Sequence, residues 1–266
     1  MPAGAIDMHT HAFPDSLAER AITTLEAECP WKAVGRGKVA ELIASMDAAG
    51  IGKSLVCSIA TKSEQIEPIL KWSRAIRSER IEPLLSVHPD TPDVEHWMAR
   101  FVEEGFAGIK LHPMYQSFAL DEPRMDRIYA AARDAGLFVT SHCGRDIAFP
   151  EDDDRASPRR LSRVIERFPR LKLVCTHLGG WRNWDDVERN IIGRDVWLET
   201  SFSLEELGSA RAMKMIERHG TDRVMLGSDW PWQRQTDAVR LVNELGFDEA
   251  TTQKLLRDNA EACLNK

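Results

Sequence analysis

The chain has 266 residues, 43% of them hydrophobic and 29% charged, which is enough for a large core. Lysine and arginine number 35 against 42 aspartates and glutamates, and a net charge of -7 speaks against a nucleic-acid partner. No run of about 18 apolar residues predicts a membrane span. The five cysteines are scattered without CxxC spacing, and the N-terminus lacks the basic-then-apolar pattern of a leader, so a cytoplasmic protein with reduced thiols is expected.

Short runs rich in valine, isoleucine and leucine alternate with longer amphipathic stretches. In chain order they predict strands at 4–9, 53–59, 81–87, 107–112, 137–142, 171–177, 195–201 and 222–229. Apolar residues at helical spacing mark 121–136 and 203–220, each ending at a glycine stop, and a last helix at 248–263. The acidic run at 151–154 reads as a solvated loop. Strands alternating with helices in this way predict an α/β fold, a (β/α)8 TIM barrel, as a single domain over 1–266.

A barrel of this kind carries its chemistry at the C-terminal ends of the strands. Five of the eight histidines fall there: His9 and His11 after the first strand, His112 after the fourth, His142 after the fifth and His177 after the sixth. Asp229 ends the eighth. Alternate residues of a strand share a face, so His9 and His11 can turn two imidazoles toward one ion. Imidazole nitrogens with one carboxylate suit zinc, the favoured metal, and manganese, iron or cobalt as well.

Lys110 and His112 share parity along the fourth strand. A lysine facing inward needs a partner, either Asp229 or a substrate carboxylate. Arg145, just past His142, reads as a bidentate clamp for a substrate carboxylate or as a surface residue. Trp181, Trp184, Trp230 and Trp232 follow the sixth and eighth strands, where tryptophan either flanks a flat ligand or staples loops. Tyr115 and Gln116 stay open in the same way. Asn259 reads as a structural residue that bonds backbone.

The motifs DMHTH (7–11), SHCG (141–144), THLGG (176–180), GSDWP (227–231) and the closing LLRDNAEACL (255–264) resemble the amidohydrolase superfamily. The resemblance is strongest to the amidohydrolase-2 branch, which includes aminocarboxymuconate-semialdehyde decarboxylase. It implies that His9, His11, His142 and Asp229 bind a divalent metal. It makes His177 a base, a polarising group or a ligand of a second ion. In some members a fourth-strand lysine is carboxylated and bridges two metals, a role open to Lys110; one metal with unmodified Lys110 is the favoured reading.

A metal ion lowers the pKa of bound water to about 7, and a carboxylate beside it can shuttle the proton. Asp229 is expected to do so; its alternative is a helix N-cap in the SDWP turn, and that of His177 a backbone tie in the tight HLGG turn. The expected function is therefore hydrolysis of an amide, ester or lactone of a small molecule. The first rival is a non-oxidative decarboxylase of the same branch, for which the chain looks short. The second is a TatD-type metal-dependent DNase, disfavoured by Lys110 where glutamate is expected and by the acidic charge. An assembly of identical chains stays open.

Overall fold

The apolar runs become eight strands in the computed structural model, which describes residues Gly4–Asn265: β1 (Ala5–Thr10), β2 (Ile51–Cys57), β3 (Ile81–Leu84), β4 (Gly108–Leu111), β5 (Phe138–Ser141), β6 (Leu173–Cys175), β7 (Trp197–Glu199) and β8 (Val224–Met225). The strand order is β1-β2-β3 in one sheet and β4-β5-β6-β7-β8 in the other. Two sets of backbone bonds complete the series. Lys110 N–H donates to Leu85 O just past β3 (2.7 Å), and Met8 N–H of β1 donates to Leu226 O just past β8 (2.9 Å). That is the strand order of a (β/α)8 barrel. No helix among the described residues is long and apolar enough to cross a membrane.

The chain forms two compact units. One holds the chain up to Val56, Ser78–Glu82 and everything from Leu198 on. Here β1 pairs in parallel with β2 and is buried along its whole length. Such burial on both faces obliges its polar residues, Asp7, His9 and Thr10, to find partners inside the protein. Met8, Ile22, Leu42, Met46, Leu55, Met225, Leu226 and Val242 are fully buried within this unit.

The other unit holds Cys57–Arg77 and Pro83–Trp197. Its centre is the parallel run β4-β5-β6, in which Leu111 lies opposite Ser141 and Ser141 opposite Cys175. His112 and His142, the next residues along, therefore leave neighbouring strands side by side. The helix Asp126–Ala135 buries Ile128, Tyr129, Ala131 and Ala132, and stops at Gly136 in the left-handed conformation. Tyr129 is fully buried and its hydroxyl donates to Leu120 O (2.9 Å), which satisfies the polar end of an otherwise apolar side chain.

Several expected elements differ. The strands at 81–87, 171–177, 195–201 and 222–229 are shorter and end at Leu84, Cys175, Glu199 and Met225; beyond the last three, His177, Phe202 and Asp229 adopt positive φ (58°, 52° and 59°) and turn the chain. The helix expected at 203–220 is two helices, Leu204–Leu207 and Ser209–His219, separated by Gly208 at φ 71°. The last helix is interrupted by a π turn, Lys254–Asp258. There the Leu255 carbonyl accepts Leu226 N–H (2.8 Å), and Asn259 Nδ2 donates to Thr221 O and Val224 O, the backbone role expected for it.

Candidate functional site

In the first unit β1 delivers His9 and His11, and the turn after β8 delivers Asp229. The strand and the turn are joined by backbone bonds from Asp229 N–H to His9 O (2.7 Å) and from His11 N–H to Trp230 O (2.6 Å). Three donor atoms then meet. His9 Nε2 lies 3.2 Å from His11 Nε2 and 3.4 Å from Asp229 Oδ1, and His11 Nε2 lies 3.1 Å from the same oxygen. Two ligands at ~2.1 Å from one ion and ~95–110° apart are ~3.1–3.4 Å from each other. The triangle fits a divalent cation by spacing and by donor type. Asp229 is not the N-cap of the next helix, which begins at Gln235 behind Arg234.

Two buried carboxylates support this triangle. Glu199 Oε1 faces His9 Nδ1 (3.1 Å), with Ser201 Oγ also near that nitrogen (3.3 Å). Asp7 holds the main chain: its Oδ1 accepts His9 N–H and Ser228 N–H, and its Oδ2 accepts Ser228 Oγ–H (2.5 Å) and Gln235 Nε2–H (2.7 Å). Full burial pushes the Asp7 carboxyl up to about 6 although all four bonds favour the charged form.

The second unit carries a different cluster. His112 and His142 stack with centroids 4.2 Å apart and planes at 16°. His112 Nε2 lies 3.3 Å from Asp146 Oδ2, and its ring meets Tyr115 edge-on. His142 Nε2 bonds to the main-chain oxygen of Arg145 (3.0 Å), while its Nδ1 faces His177 Nε2 (3.2 Å). A carbonyl oxygen only accepts, so Nε2 carries the proton and Nδ1 presents its lone pair. Burial, reinforced by the neighbouring His112 and His177, holds His142 well below the ordinary histidine range. His142 is therefore neutral at pH 7, the form that a ligand must have.

Other expected residues take quieter places. Lys110 is fully buried in β4. The Arg145 guanidinium pairs with the exposed Glu151 (3.4 Å); its carbonyl, rather than its charge, reaches the cluster. Gln116 is structural: its amide donates to Ala60 O and Val87 O and its oxygen accepts His112 N–H. Trp181 and Trp230 are buried, and Arg182 stacks over the Trp181 ring at 4.2 Å. The sequence alone does not mark Glu199, Asp146 or the supporting role of Asp7. The signal for Glu199 is a charged residue inside the apolar β7, which burial obliges to find a partner.

The barrel strand order, the triangle and the neutral His142 fit a metal-dependent enzyme of the amidohydrolase superfamily. A family model described as Amidohydrolase matches residues 6–266, and the chain belongs to that family. Solved structures of like fold include an uncharacterised TIM-barrel protein from Bordetella bronchiseptica (TM-score 0.77, 18% identity, 98% of each chain covered). A protein from Pseudomonas putida assigned as a 2-pyrone-4,6-dicarboxylic acid hydrolase matches with TM-score 0.69 and 18% identity, over 100% of this chain and 98% of that one. A 5-carboxyvanillate decarboxylase from Novosphingobium aromaticivorans, solved with bound manganese, matches with TM-score 0.73 and 15% identity, over 100% and 98%. Since the match spans the decarboxylase almost completely, chain length gives no ground for preferring hydrolysis.

Proposed function

We propose that the protein is a metal-dependent hydrolase of a small-molecule amide, ester or lactone. The observation that carries this reading is the triangle of His9 Nε2, His11 Nε2 and Asp229 Oδ1, with sides of 3.1–3.4 Å. When bound there, a divalent cation supplies Lewis acidity toward a substrate oxygen and makes water more acidic. His9, His11 and Asp229 would hold the cation. Asp229 would also accept the proton of the attacking water and pass it to the leaving group. A ligand role for His142 and an acid–base role for His177 belong to the same proposal and rest on family membership. Two imidazoles and a carboxylate suit zinc and manganese alike, and manganese is the ion of the decarboxylase of like fold.

Non-oxidative decarboxylation is the second reading, favoured by that same neighbour. Asp229 would then hold a proton for delivery to carbon instead of taking one from water. A substrate panel run in oxygen-18 water separates the two. Label in a carboxylate or alcohol product supports hydrolysis, whereas CO2 release with an unlabelled product transfers the assignment to decarboxylation.

A further inference from the structure

We infer that Glu199 is the positioning residue that fixes the tautomer and the ring direction of His9, and that Gly227 exists to leave it room. The inference rests on the metal-binding reading of His9, His11 and Asp229. Glu199 ends β7 with no solvent exposure, 190 residues from His9 in sequence. Its carboxylate has two sides in use. Oε1 takes His9 Nδ1 (3.1 Å) and the Ser201 hydroxyl (2.7 Å), and Oε2 takes Ser201 N–H (2.8 Å).

Both Glu199 oxygens already accept hydrogen bonds from Ser201, so the carboxylate turns a lone pair toward His9 Nδ1, which makes Nδ1 the N–H of that ring. The other nitrogen, Nε2, is left with its lone pair. That is the atom directed at His11 Nε2 and Asp229 Oδ1. Asp7 already holds the His9 main chain through its N–H (3.1 Å), so the freedom left to His9 is rotation of its side chain. Glu199 removes that freedom. A negative charge on the far side also makes the imidazole a better donor to a cation, a pairing that typically changes metal affinity 10–100-fold.

Gly227 supplies an independent observation. A Cβ at this position would fall 1.7 Å from Glu199 Oε2 and 2.7 Å from its carboxyl carbon. No side chain, not even a methyl group, fits beside the carboxylate as it stands. Gly227 is absent from the positive-φ glycines, so its need is space rather than backbone conformation. The glycine of the GSDWP motif thus serves a carboxylate on the neighbouring strand.

The test uses the full chain in wild-type form and as Glu199→Gln, Glu199→Asp, Gly227→Ala and Ser201→Ala. Long-range nitrogen-15 spectra of the metal-free protein read the His9 tautomer, and chelator competition with zinc and manganese reads affinity. Wild type is expected to show His9 protonated at Nδ1. Glu199→Gln is expected to mix the tautomers and weaken metal binding 10–100-fold, because its amide NH2 would face Ser201 N–H. Glu199→Asp restores part of the affinity if charge is what matters. Gly227→Ala reproduces the Glu199→Gln result by displacing the carboxylate without changing its chemistry, and Ser201→Ala gives a smaller change. An unaltered tautomer and affinity within twofold of wild type in Glu199→Gln overturn the inference, and so does the same result in Gly227→Ala if Glu199→Gln does not fold. A wild type that binds no metal, with the tautomer still lost in Glu199→Gln, overturns the functional reading and leaves the positioning role standing.

Discussion

His9 is oriented by a side-chain carboxylate, His142 by a main-chain carbonyl, and the two rings present opposite nitrogens as a result. The carboxylate brings a charge, and a single substitution can remove it. The carbonyl brings no charge, and no substitution can delete it; only a shift of the backbone can. The cluster around His9 is therefore sensitive to distant side chains. The cluster around His142 is sensitive to the packing of its loops.

The largest effect should come from breaking the triangle itself. His9→Ala/His11→Ala is expected to lose stoichiometric metal, read by elemental analysis after dialysis; full occupancy at wild-type affinity would refute the ligand assignment. Asp229→Asn keeps the shape of the triangle and removes its charge. Turnover of whichever substrate the labelled-water panel identifies should fall roughly 10²–10⁴-fold, even in protein that retains metal. Unchanged kcat would remove Asp229 from proton transfer.

Gly144→Ala attacks the backbone-held cluster around His142. An added Cβ would lie 2.1 Å from Trp181 N, at a position with φ 88°, so the two loops must separate. A loss of about 3 kcal/mol or more is expected, read as a lowered denaturation midpoint.

A smaller effect is expected away from both clusters. Asp121 accepts from Arg160 and Arg163 at 2.7 Å each. Burial alone would raise its pKa, but the bonds from Arg163 and Arg160 prevail and hold it below the ordinary carboxylate range. A depressed folded pKa means stability that is present above the unfolded value and is lost as pH falls through the folded one. Asp121→Asn should cost about 1–2 kcal/mol at neutral pH. The gap to wild type should close in acid, measured by urea titrations between neutral pH and pH 3.

The smallest effect sharpens the comparison most. Arg145→Ala keeps the carbonyl that orients His142, so metal affinity should stay within twofold and stability within about 0.5 kcal/mol. A large loss of affinity would mean that the guanidinium matters and the carbonyl does not.

Much of this was readable before the fold was known. Strand ends were marked by histidines, and His9, His11 and Asp229 followed from parity and from the eighth-strand motif. What could not be read were the supporting contacts that join residues far apart in the chain. Glu199 looks like one polar residue in an apolar strand, and only the β7–β8 pairing, with Glu199 opposite Met225, brings it to Gly227. The pairing of His112 with Asp146 depends on how the loop after β5 returns. Periodicity also read through Gly208, because one glycine leaves the apolar spacing on either side intact while its φ of 71° breaks the helix. Arg145 was weighed for its charge, the property a sequence displays, whereas the fold uses its carbonyl.

The loop after β5 is closed at its base. Gly144 N–H bonds Ala156 O (2.8 Å), Gly144 pairs with Trp181 as an isolated parallel bridge, and Trp181 N–H returns to Cys143 O (3.0 Å). A segment whose two ends are fastened together behaves as a cassette. Residues 147–154 could be exchanged for a different sequence, or lengthened, while the chain entering and leaving them keeps its course. Lengthening such a loop twofold adds only about 0.6 kcal/mol of closure entropy. An exchange at 147–154 is therefore expected to leave His142 and its bond to the Arg145 carbonyl in place.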